Sequence, residues 1–386
     1  MKCARLMWIA NVLGFYVVQL AAQSQYGPES GTRYVITNLG TFGGSSGSSA
    51  SGVNNKGLVT GYEALQNGNQ HAFMWKNGHK TDLGTLGGPE SGISTSANEK
   101  GVLVGQANTG FKDPLKENFC GFNRPNQFLC LPVIWQDGEI SPLPTLGGNN
   151  GETTGINNRG QVVGYAETAV QDPNCIAPQI LDVEAVLWEP AKGEVVELPP
   201  LAGDVVGGAL AINDNSQIVG TSGPNCGPVG PAIAAHIVLW ENGTPTDIGN
   251  LGGTMNNSAL AINNRGQVSG VSGLAGDTTF HAFLWQDGVM TDLGTLPGDF
   301  ASIGFGINNQ GQVVGQSCDV NFNCRAFLWE NGVMTDLNSL VAGHSDLHLL
   351  AGESINSHGE IAGQAINPRT GALPAFLAVP MRREGD

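Results

Sequence analysis

The sequence predicts an all-β fold: a seven-bladed β-propeller of four-stranded blades, closed by an N-terminal strand that completes the last blade. Three observations carry that expectation. Tryptophan recurs at Trp75, Trp135, Trp188, Trp240, Trp285 and Trp329, spaced 60, 53, 52, 45 and 44 residues apart. Around each lies a unit of four short strand-like pieces, a period that marks a repeat architecture. The copies are also offset: the chain opens on the last piece of a unit and ends on the third. A linear solenoid needs polar caps and leaves that offset unexplained, whereas a ring uses it for closure.

The first element is an export signal. Residues 1–5 carry Lys2 and Arg5, residues 6–20 are mostly apolar, and Ala21-Ala22 precede the polar run QSQYGPES. This is the order of a secretory signal, and the apolar run is short for a membrane span of about 20 residues. Residues 1–22 are therefore expected to be removed. Residues 23–33 form a linker, 34–380 the propeller and 381–386 a tail.

The repeat is clearest over residues 258–298. Piece a reads SALAIN, piece b GQVSG, piece c HAFLW and piece d MTDLGTL. Piece b returns seven times, starting at Leu58, Val102, Gln161, Gln217, Gln267, Gln312 and Glu360. Piece c ends as AFLAVP, with Ala378 in place of the tryptophan. The segment YVITNLG, residues 34–40, is the d piece missing from the a-b-c set at 353–380.

The turns agree with this division. Pieces c and d meet at Asn77-Gly78, Asp137-Gly138, Asn242-Gly243, Asp287-Gly288 and Asn331-Gly332. These dipeptides accept the positive φ angles of a two-residue hairpin turn. Pieces a and b meet at another tight Asn-Gly turn, as in residues 157–160. Small residues alternate in piece a, which suits the strand nearest the axis. The Trp and Phe of piece c are expected to pack between blades, where aromatic area stabilises most. In such a blade the short a–b and c–d turns share one face, and the d–a and b–c loops share the other. Every insertion falls in the second set. Inserted loops on one face of a repeat protein mark its binding face, here termed the loop face.

Six cysteines remain beyond Cys3, all assigned to b–c loops. In an exported chain an even number reads as disulfides. Fifteen pairings are open to sequence alone. The propeller arrangement selects Cys120–Cys130, Cys318–Cys324, and Cys175–Cys226 as a staple between adjacent blades. Zinc is the rival reading, but no CxxC pair and no histidine at ligand spacing supports it.

Composition bounds the rest. Hydrophobic residues make 40% of the 386, enough for a core, and the net charge is −16. With no basic surplus to neutralise phosphates, nucleic acid is not an expected partner. No segment after the signal is long and apolar enough to span a membrane, and a monomer is expected. Glycine supplies 57 residues, about twice its usual share.

The HAFLW…DLGTLGG and INNxGQVVG signatures resemble the HAF-family extracellular repeat. The triplet stands intact at His71-Ala72-Phe73 and His281-Ala282-Phe283, and in part at Arg325-Ala326-Phe327. The likeness covers roughly residues 34–380. It implies an exported bacterial repeat protein, secreted, periplasmic or on the cell surface, and it implies no particular reaction. The C-terminal VPMRREGD does not match the sorting helix of that family's surface members.

Candidate sites follow from the loop face. Glu90, Glu152, Asp204, Asp299 and Asp319 are its carboxylates, and those in d–a loops would ring the channel mouth. Oxygen-rich mouths hold calcium and paired carboxylates cleave glycosides; a solvated acidic rim is the plain alternative. Calcium is the one cofactor the set would suit. His71 and His281 read as strand-edge residues bonding the backbone, and His236 reads as drift from that position. His344, Asp346 and His348 alternate and could face one way. No GxSxG or HExxH occurs, and the Gly-Gly pairs lead into strands rather than the helix a phosphate loop needs. No catalytic residue is assigned. The expected function is a binding or interaction module for a glycan or protein ligand. A polysaccharide-active hydrolase or lyase and a structural envelope component are the alternatives.

Overall fold

The computed structural model describes residues 32–43, 47–122, 126–227, 230–231 and 234–381. The signal segment, most of the linker and residues 382–386 of the tail lie outside them. Seven four-stranded antiparallel sheets form the seven blades of a β-propeller, each a meander in the order a-b-c-d. Blade 1 is Ser48–Val53, Val59–Ala64, Gln70–Lys76 and His79–Asp82. Blades 2 to 6 follow at residues 87–142, 147–198, 206–247, 258–292 and 301–336. Among the described residues the only helical element is one 3-10 turn, Leu337–Leu340. Strands a of neighbouring blades touch one another from blade 3 round to blade 1, so they line the axis.

Blade 7 closes the ring. Its strands His348–Ile355, Ile361–Ile366 and Ala375–Pro380 are completed by Tyr34–Asn38. That strand pairs antiparallel with Ala375–Pro380, from Tyr34 opposite Pro380 to Asn38 opposite Phe376. The Leu39 and Met381 amides extend the ladder to the Ala375 and Arg33 carbonyls. The Tyr34 ring is buried with Leu337, Leu349 and Phe376, and burial pushes its hydroxyl up to about 12. The N-terminal strand is therefore part of the last blade's core.

The hairpin turns have the backbone their residues favour. Both φ angles are positive at the five Asn-Gly and Asp-Gly c–d turns, 50° and 84° at Asn77-Gly78 and 52° and 82° at Asn331-Gly332. That is the geometry matching strand twist. Strand a carries a bulge near the axis in most blades, as between Ala50 and Gly52 and between Gly304 and Gly306. The glycine of strand b has a stricter reason than its turn. A Cβ on Gly61, Gly164 or Gly315 would lie 1.9–2.0 Å from a strand-a carbonyl oxygen. The same atom at Gly315 would meet the Phe327 ring at 2.8 Å. Close backbone approach excludes any side chain there.

The signature Asn of each a–b turn joins blades as well as making a turn. Its Oδ1 accepts the amides two and four residues on, as Asn157 does from Arg159 and Gln161 at 3.0 Å. Its Nδ2 then donates to the carbonyl of the equivalent Asn in the next blade. The series runs Asn54 to Asn98, Asn157, Asn213, Asn263, Asn308, Asn356 and back to Asn54, at 2.8–3.2 Å. All seven are buried. This closed circuit of hydrogen bonds lies on the turn face.

Aromatic residues of strand c pack between blades as expected. Phe73, Phe283, Phe327 and Phe376 are fully buried. Trp135, Trp188 and Trp240 each donate Nε1–H to a carbonyl at the end of the preceding blade's strand d, at Leu83, Pro144 and Pro199.

Candidate functional site

The meander places the long b–c loops and the d–a loops on one face, opposite the Asn circuit. Blades 2 and 3 reach furthest from it. Their b strands, Leu103–Lys112 and Val162–Gln171, are 10 residues long against 6 in blade 1. The extensions pack on the Gly-Gly pairs: a Cβ on Gly88 or Gly148 would lie 2.3 or 2.5 Å from the Thr109 or Thr168 carbonyl oxygen. The Gly-Gly pairs thus seat the projecting strands.

Three disulfides brace this face: Cys120–Cys130, Cys175–Cys226 and Cys318–Cys324. The second ties the b–c loops of blades 3 and 4. Cys130, Cys318 and Cys324 stand at strand ends rather than in the loops proper, and Cys226 belongs to a two-residue strand paired with Gly230–Pro231. Asp172 lies close to the Cys175 and Cys226 sulfurs, but both sulfurs are committed to the disulfide, which leaves no thiolate for a metal.

The five predicted carboxylates do not meet. Glu90 and Glu152 lie within strands a of blades 2 and 3, both buried, because those strands start earlier than the sequence pattern suggested. Glu90 accepts from Asn126 Nδ2. Glu152 accepts from the Tyr165 hydroxyl at 2.8 Å, and burial pushes its carboxyl up to about 7. Asp204 accepts from Ser222 and pairs with His236 Nδ1 at 2.8 Å. Asp299 pairs with the Arg325 guanidinium at 2.9 Å. Asp319 caps the Cys318–Cys324 hairpin, and the Asn323 and Asn321 donors hold its carboxyl below the usual range.

The signature histidines have a different partner from the backbone one expected. His71 Nδ1 lies 2.9 Å from the Asp82 carboxylate, and His281 Nδ1 2.9 Å from Asp292. The pair is diagonal, four residues before the Trp on strand c and at the end of strand d, an arrangement that stabilises a sheet. Arg325 takes the same place opposite Asp336 at 3.2 Å. His236 is no drift: it stands opposite Ser222 as His281 stands opposite Ser272. His344, Asp346 and His348 do not form a site. His344 and Asp346 are exposed and 3.3 Å apart, while His348 enters strand a of blade 7, where burial lowers its ring.

Sequence reasoning missed one buried constellation between blades 2 and 3. Glu167 accepts from the Asn149 and Asn150 amides and from Gln179 Nε2. Asn150 Nδ2 also reaches Asp113 at 2.7 Å. Glu117 accepts from the Ile180 and Leu181 amides. Burial and the neighbouring Glu117 push Glu167 up to about 7. Asp113, Glu117 and Gln179 fall in inserted loops, and Glu167 in the extension of strand b, where the repeat offers no register. They clasp two loops together.

No protein-family model matches the chain, and no curated protein matches it. Solved structures do. The chain is similar to the β-propeller domain of the Trilobed protease from Pyrococcus furiosus, at 13% identity, 74% of this chain, 79% of that chain and a TM-score of 0.44. It is similar to oligogalacturonate lyase from Vibrio parahaemolyticus, at 11% identity, 89% and 93% coverage and a TM-score of 0.46. It is also similar to TolB from Acinetobacter baumannii, at 9% identity, 91% and 64% coverage and a TM-score of 0.40. At these identities and scores the likenesses carry no argument about activity.

Proposed function

We propose that the protein is an exported binding module that takes a glycan or protein ligand on its loop face. One observation carries the reading. Of the twelve exposed large hydrophobic residues among those described, seven lie on the loop face; the other five edge the outer rim. Phe111, 75% exposed, and Val170, 62% exposed, hold equivalent places on the projecting b strands of blades 2 and 3. Exposed apolar groups gathered on one braced face mark an interaction surface. Disulfides fit an oxidising compartment outside the cytosol. The repeat signature supports an extracellular HAF-type protein by resemblance, and the carboxylates, each tied to its own partner, give no paired acid and base.

The test is a glycan array and a surface-protein array probed with the disulfide-intact chain, alongside product release from a polysaccharide panel. Selective binding that drops at least tenfold in Phe111→Ser/Val170→Ser supports the proposal. Turnover of a polysaccharide favours an enzyme, and self-assembly without binding favours an envelope component; either result overturns it.

A further inference from the structure

At one position of strand c, blades 1, 5 and 6 place a cation beside the carboxylate that ends strand d; blade 4 turns its His236 to Asp204, blades 2 and 7 carry Leu131 and Pro374 there, and blade 3 carries a second acid. His71, His281 and Arg325 stand there in blades 1, 5 and 6, opposite Asp82, Asp292 and Asp336. In blade 3 both places are acidic: Glu184 replaces the cation and Glu197 the aspartate. Asp182 lies two residues before Glu184 on the same side of the strand. Among the described residues no Lys, Arg or His makes an ion pair with Asp182, Glu184 or Glu197.

Glu184 is the telling member. It is 6% exposed; the Gly207 amide of blade 4 reaches its carboxyl, and its Oε2 has no hydrogen-bond partner. A buried carboxylate oxygen left unpaired is costly. Burial and the charges of Asp182 and Glu197 push Glu184 up to about 9, so at neutral pH it holds a proton that a docking cation displaces. Its carboxyl lies beside Gly207 of blade 4, while Glu197 is exposed and Asp182 half-buried. The acidic set therefore opens to solvent at the boundary of blades 3 and 4.

We propose that this boundary is a seat for a cationic side chain, an arginine or lysine presented by a protein ligand. The inference rests on the binding function above and narrows its ligand to a protein. Arg325 shows how such a seat is filled. Its guanidinium bridges Asp336 of strand d at 3.2 Å and Asp299 of a d–a loop at 2.9 Å. A planar guanidinium spans carboxylates on separate elements. A metal ion fits less well, because no three of these carboxylates bring oxygens within 4.8 Å of one another.

The test uses a fluorescein-labelled peptide, GSRGSRGSRG, and its glutamine counterpart, with anisotropy read at near-physiological salt. The wild-type chain is expected to bind the arginine peptide at least tenfold tighter. Glu184→Arg should remove that preference. Glu139→Arg, the same charge change on the turn face, should leave it within twofold. Glu197→Gln, at an exposed position, should weaken binding severalfold with no change in melting, which covers a misfolded Glu184→Arg. Equal loss in Glu184→Arg and Glu139→Arg overturns the proposal. So does a melting rise with calcium in the wild type that Glu184→Arg abolishes, since the seat is then metallic. If the arrays yield a loop-face ligand whose binding is unchanged in Glu184→Arg, this seat fails while the binding function stands. If the arrays yield no ligand but the arginine preference persists, the seat stands and the broader reading fails.

Discussion

Replacing Asn356 by alanine should cost more than any single exposed turn residue. Asn356 sits where blade 7 meets blade 1, so its Nδ2 bond to the Asn54 carbonyl, at 3.0 Å, closes the Asn circuit. Its Oδ1 accepts the His358 and Glu360 amides at 2.9 and 3.0 Å. Alanine removes these three bonds, together with the Nδ2 bond to the half-buried Glu360 carboxylate that water can replace, and leaves the buried Asn54 carbonyl without its donor. At about 1 kcal/mol per net hydrogen bond, with a further penalty for the orphaned group, the loss is about 3–4 kcal/mol. Unfolding entropy of about 2.1 cal/mol/K per residue gives about 0.7 kcal/mol/K over the propeller, so the melting midpoint should fall by about 4–6 °C. Scanning calorimetry reads this directly. Asn356→Asp keeps the Oδ1 acceptor but turns the donor into an oxygen facing the Asn54 carbonyl and the Glu360 carboxylate, and should fall at least as far. Asn55→Ala removes only an exposed acceptor for the Ser357 amide and should shift the midpoint by about 1 °C or less. A drop in Asn356→Ala no larger than in Asn55→Ala would refute the claim that the circuit holds the ring shut.

Other outcomes follow from the same structure. Stability should depend on pH in an unusual direction: burial pushes Glu152, Glu167 and Glu353 up to about 7 and Glu184 up to about 9. A raised folded pKa contributes stability below the unfolded value near 4.5 and loses it as pH climbs through 7 and then 9. The midpoint should therefore decline from pH 5 to pH 9, and a rise over that range would contradict the burial of these carboxyls. Gly315→Ala forces a Cβ into the Ile303 carbonyl and should cost about 3 kcal/mol, read as a lower midpoint or loss of soluble protein. Cys175→Ala/Cys226→Ala should expose residues 172–181 to limited proteolysis while the far-ultraviolet spectrum of the ring is kept; unchanged cleavage would show that the staple is dispensable.

Much of the architecture was legible because the repeat writes it seven times. Unit count, strand order, hairpin turns and the offset that closes blade 7 all follow from spacing. The disulfides followed once the loops shared a face. The interblade chemistry was not legible. The Asn of INNxG reads as a turn residue, and nothing local tells that its amide crosses to the next blade. His71 and Asp82 are both visible in HAF…TDLG, but their contact depends on the c–d register. Glu90 and Glu152 looked like loop residues because strands a of blades 2 and 3 begin early, on the Gly-Gly pairs. Glu117 and Glu167 lie where insertion removed the repeat's guidance. Glu184 was hidden differently, since its meaning comes only from comparison with His71, His281 and Arg325.

The central claim is that Tyr34–Asn38 completes blade 7. Val35 stands directly opposite Val379 in that pairing, and opposed residues of an antiparallel pair lie about 4.5–5.5 Å apart, within disulfide reach. The decisive measurement is non-reducing peptide mapping of a monomeric Val35→Cys/Val379→Cys variant. The account predicts an intramolecular bond between positions 35 and 379 with the three native disulfides kept. Free thiols at both positions, or bonds found only between chains, would show that the N-terminal strand does not close the ring.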